Sequence, residues 1–398
     1  MSILTDRCSS ENTRLNKQLT SSREKRLRIV YCLDSFEVGG TELNAVRTLE
    51  AIDRDRLEFL VIYLQSRGPL RARYEAMGIQ MIHFPIGSLY SLQTVRAGWR
   101  IAKLLRAWQA DVVVTHDLYT NIFVTPWARL LTRSAVVASK RWWFDSPRPG
   151  LTTVNRFSYR FAHAVLANSE SVAKLLIEHE NVPKQKVFVV PNFLSDSAFV
   201  NITPTERARI RSSYGAPDSA CLVGIVARLV PVKNHELLLR AAALLGDQFY
   251  FVLIGDGSLR RDLESLASRL GIESRVRFTG QLSTKTNLHA GFDISVLCST
   301  TEGFPNAVIE GMAAGCAVIA TPVGGVIDVI EHGVTGLLLQ ESTPQALANA
   351  IRLLGENTSL RSRLAETAKL AVQNKYHQTI VTTSLVKTLN KIANDFRP

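Results

Sequence analysis

The chain has 398 residues, and because single hydrophobic cores stop growing beyond about 250–300 residues, two domains are expected. Apolar residues make up 46%, as in folded globular proteins rather than disordered ones, and no apolar run approaches the roughly eighteen residues needed to span a bilayer. The formal charge of +12 is uneven, with 14 Lys and Arg against 4 Asp and Glu in residues 67–160, which points to an anionic partner of the N-terminal half: a membrane surface, a phosphorylated acceptor or nucleic acid.

Residues 1–26 are polar and lack the apolar centre of a secretory signal, so a disordered tail is expected. The five cysteines, at 8, 32, 221, 298 and 316, show no C-x-x-C or metal-ligand spacing. They read as free thiols of a reducing cytoplasm.

From residue 27 a βα alternation begins. Residues 28–33 (RIVYCL) read as a buried strand, followed by a loop over 34–40 and a helix for which Thr41 is the expected N-cap. Strands at 59–64 and 81–84, a long helix over 92–108 and a strand at 111–115 closed by His116 follow. Strands at 136–138, 164–167 and 187–190 continue the pattern. Residues 191–204 have loop chemistry and mark a linker. The alternation restarts with strands at 222–226, 250–254 and 276–279 and helices at 236–245 and 259–270. A strand–loop–helix–strand unit covers 294–320, a strand is expected at 336–339, and helices follow from Pro344.

This pattern predicts an α/β protein of two Rossmann-like, doubly wound domains facing a central cleft. The expected layout is a tail over 1–26, an N-terminal acceptor domain over 27–195, a C-terminal donor domain over 205–375 and a last helix over 376–398 able to pack back on the first domain.

On the 92–108 helix, Arg96, Arg100, Lys103 and Arg106 recur at helical spacing on a face that also holds Leu92 and Trp99. Ala97, Ile101, Leu104, Leu105 and Trp108 lie opposite and are expected to pack on the sheet. Cations interleaved with Trp and Leu suit an anionic bilayer interface; a merely solvated helix is the alternative. Lys140 and Arg141, in the segment 140–143 (KRWW), are expected to extend the same acceptor or membrane surface.

The densest signal is residues 298–325, CSTTEGFPNAVIEGMAAGCAVIATPVGG. Glu302 precedes the Gly303-Phe304-Pro305 turn, Asn306 and Ala307 open a short helix, and Glu310 sits within its first turns. Ligands of parallel sheets bind beyond the carboxyl ends of the strands. Here two carboxylates, each able to accept two hydroxyls, flank a helix N-terminus suited to phosphate. A ligand with hydroxyls on both sides and phosphate in the middle is a nucleotide sugar. Two solvated glutamates would share this spacing, so the reading depends on its company. Gly39 and Gly40, in 37–42 (EVGGTE), allow close backbone approach at a helix start, yet form neither G-x-G-x-x-G nor a Walker loop. Arg228 at a strand end and Lys233 five residues on are placed to offset a diphosphate. No D-x-D metal motif is convincing, since Asp53-Arg54-Asp55 reads as a turn.

The constellation resembles the retaining glycosyltransferases of family 4, with the GT-B fold. The residues that carry the resemblance are the Gly39-Gly40 loop, His116, Asn168-Ser169, Pro191-Asn192, Arg228 with Lys233, 255–267 (GDGSLRRDLESLA), 276–280 (VRFTG) and Glu302 to Glu310 with Gly324-Gly325. The resemblance implies Arg228 and Lys233 on the diphosphate and Glu310 on the ribose. It implies Glu302 and its loop on the donor sugar, His116 near the transferred sugar, and 276–280, ending at Gly280, beside the base. Because cations such as Arg228 and Lys233 can replace a metal, no cofactor and no metal are expected; a UDP-sugar rather than a GDP-sugar is the expected donor, and the basic helix suits a lipid-linked or saccharide acceptor at the inner face of the cell membrane. Asn234, Gly311 and Asp328 depart from the family pattern, where Gly, Ala and Glu are usual. An inverting GT-B transferase, a nucleotide-sugar epimerase and a non-catalytic nucleotide-sugar sensor are the alternatives. No recognised nucleic-acid module is present, and nucleic acid is not an expected partner.

Overall fold

The computed structural model describes residues 26–87, 91–143, 149–282 and 287–396; the tail expected over 1–26 lies outside them but for Arg26. The first sheet has seven parallel strands: β1 (Leu27–Leu33), β2 (Leu57–Tyr63), β3 (Gln80–His83), β4 (Val112–Thr115), β5 (Ala135–Lys140), β6 (Ala164–Ala167) and β7 (Val187–Val189), in the order β3-β2-β1-β4-β5-β6-β7. The second has six: β8 (Cys221–Val226), β9 (Phe249–Ile254), β10 (Val276–Gly280), β11 (Ile294–Leu297), β12 (Ala317–Ala320) and β13 (Leu337–Leu338), in the order β10-β9-β8-β11-β12-β13. Both sheets are covered by helices on both faces, so their central strands are continuous apolar runs rather than alternating ones. In β4 and β12 every residue is buried.

Each sheet reverses its direction of growth once, between β1 and β4 and between β8 and β11. The connections leaving such a pair of strands diverge and open a crevice at their carboxyl ends. His116 directly follows β4, Arg228 and Lys233 follow β8, and Glu302 follows β11. Topology alone thus brings the dispersed motifs to two facing crevices.

The helices of the first domain are α1 (Gly40–Ala51), α2 (Arg71–Ala76), α3 (Leu92–Ala107), α4 (Leu118–Leu131), α5 (Pro149–Ser158) and α6 (Glu170–Glu178). Thr41 is not the cap of α1: the helix already includes Gly40, and its N-cap is Gly39, extended at φ −126° with no side-chain hydrogen bond. A glycine at this position brings no side chain that could cap the helix, and the Glu42 carboxylate folds over it, 2.2 Å from where a Cβ would stand. In α3, Ile101 and Leu105 join Val30, Leu60 and Val113 in one core cluster. Gly98 lets α3 approach α4, since a Cβ there would meet the Trp127 ring at 2.1 Å. On the far face Leu92, Val95 and Trp99 are 78%, 53% and 56% exposed.

The second domain carries α7 (Pro204–Ser213), α8 (His235–Ala242), α9 (Arg260–Arg269), α10 (Asn306–Ala313), α11 (Pro344–Glu356) and α12 (Thr358–Tyr376). The helix α7 begins at the edge of the expected linker, where Thr203 caps it by accepting from the Glu206 amide at 3.2 Å and Pro204 takes the first turn. Only Arg211 of this helix is buried, so it has no apolar stripe to betray it.

The last helix, α13 (Gln378–Asp395), returns to the first domain. Val381, Leu385, Leu389 and Ile392, one face at steps of four, four and three, join Ile29, Tyr31 and Val46 in its core. The two chain crossings are tied together where the Leu194 amide donates to the Tyr376 carbonyl and the Gln378 amide to the Leu194 carbonyl, both at 2.9 Å. Among the described residues the cysteines at 32, 221, 298 and 316 are free thiols, and no helix is long and apolar enough to cross a membrane.

Candidate functional site

The crevice of the second sheet is built by two loops. After β8 the chain passes Arg228, which is exposed, and enters a 3-10 turn, Pro231–Lys233. The turn is closed by Asn234 in the left-handed region at φ 47°. Glycine and asparagine are the residues that tolerate this conformation, so the departure at Asn234 keeps the geometry that the usual glycine would give. From this turn Lys233 reaches the loop after β11 and forms an ion pair with Glu302, whose Oε1 also accepts from the Ser299 hydroxyl at 2.7 Å. The pair is partly sunk, with side chains 22% and 11% exposed.

Behind Glu302 the backbone turns sharply. The Gly325 amide donates to the Glu302 carbonyl at 3.0 Å, and a Cβ on Gly324 would lie 1.9 Å from that oxygen. Phe304 is buried and packs edge-on against Tyr376 at 5.5 Å between ring centroids, anchoring the loop. Pro305 is the N-cap of α10, and no side chain caps the helix among the described residues. In its first turn the Asn306 amide donates to the Phe304 carbonyl at 3.1 Å and the Val308 amide to the Pro305 carbonyl at 3.0 Å, so the helix start offers its partial positive charge and the Ala307 amide. Glu310 follows one turn on. Burial raises its carboxyl pKa, opposed by Arg47 of α1 across the cleft, 3.8 Å away. Gly311 is required by packing: a Cβ there would sit 2.9 Å from the Ser295 hydroxyl, which is itself engaged by His289 at 3.0 Å. At the end of β10, Gly280 adopts φ +74° and its carbonyl accepts from the Gly255 amide at 3.0 Å.

The first domain supplies the opposite wall. His116 is buried with its ring 4.4 Å from that of Tyr31, and neither ring nitrogen has a hydrogen-bond partner among the described residues. Burial, then the Arg141 charge, holds its pKa well below the usual imidazole range, so it is a neutral ring offering one donor and one acceptor. The next residue, Asp117, caps α4 by accepting from the Thr120 amide at 2.9 Å, and burial together with Asp34 pushes its carboxyl up to about 7. Gly40 faces the Asn306 amide group of the other domain, 4.0 Å from where its Cβ would stand.

Lys140 and Arg141 do not belong to the α3 surface. Lys140 is the last residue of β5, paired in register with Ala167, and an interior strand of a covered sheet has no outer face. Its ammonium is 1% exposed and forms an ion pair with the equally buried Glu180. Arg141 sinks into the cleft wall, donating to the Asn192 side-chain oxygen at 3.1 Å, and burial lowers its pKa to about 10. Arg96, Trp99, Arg100 and Lys103 do share the exposed face of α3, with the Lys103 ammonium 5.9 Å from the Trp99 ring.

Two further residues at the cleft carry no sequence signature. Arg47 lies seven residues beyond Gly40, hence on the same face of α1, and Ser171 lies just inside α6, where it meets Asp328 of the second domain.

Two family models cover most of the chain: "Glycosyltransferase Family 4" matches residues 38–197 and "Glycosyl transferases group 1" matches residues 206–371. The lipopolysaccharide core biosynthesis glycosyltransferase LpsE of Rhizobium meliloti is 25% identical over 88% of this chain and 96% of its own length. An uncharacterized glycosyltransferase of Methanocaldococcus jannaschii is 30% identical over 53% of this chain, a match that spans 56% of that relative. Among solved structures, HepE of Anabaena in complex with UDP superposes with a TM-score of 0.83 at 23% identity, over 92% of this chain and 100% of that one. The lipopolysaccharide outer core galactosyltransferase WaaB superposes at 0.74 with 16% identity, over 92% and 99%.

The buried pair yields a stability prediction. Lys140→Ala leaves the Glu180 carboxylate buried without its partner, which costs about 3–5 kcal/mol. At roughly 2–4 °C per kcal/mol, the melting temperature falls by about 6–20 °C. Lys140→Met combined with Glu180→Leu recovers most of that loss, because the pair's attraction is largely offset by its own desolvation. Thermal unfolding of the three proteins checks both statements.

Proposed function

The chain belongs to the family 4 (group 1) glycosyltransferases of GT-B fold, and from that premise we propose that it moves a hexosyl unit from a UDP-sugar to a lipid-linked or saccharide acceptor with retention of anomeric configuration. The observation that carries this reading is the meeting of Lys233 and Glu302 at the switch point of the second sheet, beside exposed Arg228 and the uncapped start of α10. A diphosphate entering there competes for Lys233, and the Glu302 carboxylate is left to hold sugar hydroxyls. Glu310, one turn into α10, suits the ribose hydroxyls, and the turn at Gly280 suits the base. HepE, of like fold, is solved with UDP and with UDP-glucose, which favours UDP over GDP, and LpsE acts in lipopolysaccharide core biosynthesis, which favours a cell-surface glycan as product.

Chemistry follows from this placement. As the bond between the anomeric carbon and the phosphate oxygen breaks, charge grows on the diphosphate. Arg228, Lys233 and the start of α10 stabilise it without a metal, an arrangement fixed before the reaction begins. The acceptor hydroxyl attacks from the same face, and its proton passes to the departing phosphate, so no side-chain base is needed. Neutral His116 supplies one hydrogen bond to the transferred sugar.

Lys233→Ala and Arg228→Ala are each expected to lower turnover roughly a hundredfold, the cost of about 3 kcal/mol for one lost transition-state contact, with melting temperature retained. Activity is expected to persist in EDTA, and NMR of the product is expected to show the donor's anomeric configuration. Near-normal turnover in both variants would remove the diphosphate from this site, and inversion would remove the proposed mechanism.

The acceptor is proposed to lie in an anionic membrane met by α3. Leu92, Val95 and Trp99 are exposed among Arg96, Arg100 and Lys103, and each cation near such a surface contributes about 1 kcal/mol. Co-sedimentation with anionic liposomes is expected for the wild type at low salt, with release at high salt. The variant Arg96→Ser/Arg100→Ser/Lys103→Ser is expected to stay in solution; equal sedimentation of both would exclude α3 as the contact.

A further inference from the structure

Three side chains outside the donor-sugar loop tie it to the opposite domain. Ser169, the N-cap of α6, accepts from the Val172 amide at 3.1 Å and donates its hydroxyl proton to the Gly303 carbonyl of the second domain at 2.8 Å. Two residues on, the Ser171 amide donates to Asp328 Oδ2 at 2.9 Å, and its hydroxyl lies 3.0 Å from both Asp328 Oδ1 and the Gly324 carbonyl. Asp328 is thus a carboxylate at the start of a helix that belongs to the other domain, where the helix dipole and free amides favour an anion. Both serines are buried, at 3% and 7% exposure.

These contacts converge on one short piece of backbone. Gly324 and Gly325 are packed directly on the carbonyls of Glu302 and Gly303, and the Gly325 amide holds the Glu302 carbonyl at 3.0 Å. A force on Asp328 or Gly324 is therefore passed to Glu302. Asn192 adds a fourth tie, its amide donating to the Asn306 side-chain oxygen at 2.9 Å.

We propose that Ser169, Ser171 and Asp328 form a latch that sets the angle between the domains and, through Gly324 and Gly325, the position of Glu302 over the donor sugar. The inference rests on reading the cleft as the site of transfer. They are positioning residues: none need touch the substrate. Their effect is large because the donor is held by one domain and the acceptor by the other, and reacting atoms must come within about 3–3.5 Å, so that an error of about 1 Å costs on the order of a hundredfold.

The test uses the full chain with Ser171→Ala, Asp328→Ala, their combination and Asp328→Asn. Ser171→Ala and Asp328→Ala are expected to lower kcat by on the order of ten- to a hundredfold while UDP affinity, set mainly by Arg228, Lys233 and α10 of the second domain, changes far less. The combined variant is expected to lose no more than the worse single one, as for partners in one interaction. Asp328→Asn, which keeps an acceptor for the Ser171 amide, is expected to recover much of kcat. Small-angle scattering is expected to show a larger radius of gyration for Asp328→Ala than for wild type. Unchanged kcat, or UDP affinity falling in step with kcat, would overturn the proposal. Should the wild type turn over no nucleotide sugar, the transfer reading falls; the scattering comparison then judges the latch, and an unchanged radius in Asp328→Ala overturns it.

Discussion

The candidate site depends on keeping two opposite charges, Lys233 and Glu302, together at the carboxyl edge of the second sheet. Neither residue is near the other in sequence, and each sits on a loop that alone would be free to wander. What fixes them is the reversal between β8 and β11, which aims both loops at one crevice. The left-handed Asn234 turns the chain back toward the sheet on one side, and Gly324 and Gly325 press against the Glu302 carbonyl on the other. An ion pair so held is preorganised for a ligand that brings its own negative charge, since the cation is already placed and only its counterion changes.

The first domain completes this site rather than duplicating it. Its own switch point places neutral His116 at the cleft, and Arg47 reaches Glu310 from α1. Two chain crossings hydrogen-bonded at Leu194 and a returning helix, α13, tie the halves at their base. The latch from α6 to Asp328 ties them again beside the donor loop. With a tie at the base and the proposed latch beside Glu302, a change of domain angle would move the site geometry with it.

Much of this was legible in the sequence because it rests on period and punctuation. Buried parallel strands announce themselves as short apolar runs between turns, and the order of those runs implied the two-sheet α/β architecture. The Glu302-to-Glu310 loop was legible because its turn residues sit between two such strands. Depth was not legible. Lys140 and Arg141 look like a basic surface, yet β5 is an interior strand and its last residue can only point into the protein, where Glu180 answers it. Helix starts without side-chain caps, as at Gly39, and helices without an apolar stripe, as at α7, also escape pattern reading. Contacts between domains escape it altogether: Arg47 and Ser171 are ordinary polar residues until folding brings them to Glu310 and Asp328. Two departures from the family pattern became intelligible only in three dimensions, Asn234 through its φ and Gly311 through the hydroxyl it must avoid.

The central claim is that this cleft holds a nucleoside diphosphate sugar with protein cations alone. A thermal-shift screen of nucleotide sugars in EDTA tests it directly. A ligand at about 100 times its dissociation constant stabilises the native state by about 2.7 kcal/mol, so a UDP-sugar is expected to raise the melting temperature by several degrees and UDP to do so as well. Absence of a shift with every nucleoside diphosphate sugar, or a shift that appears only when a divalent cation is restored, would contradict it.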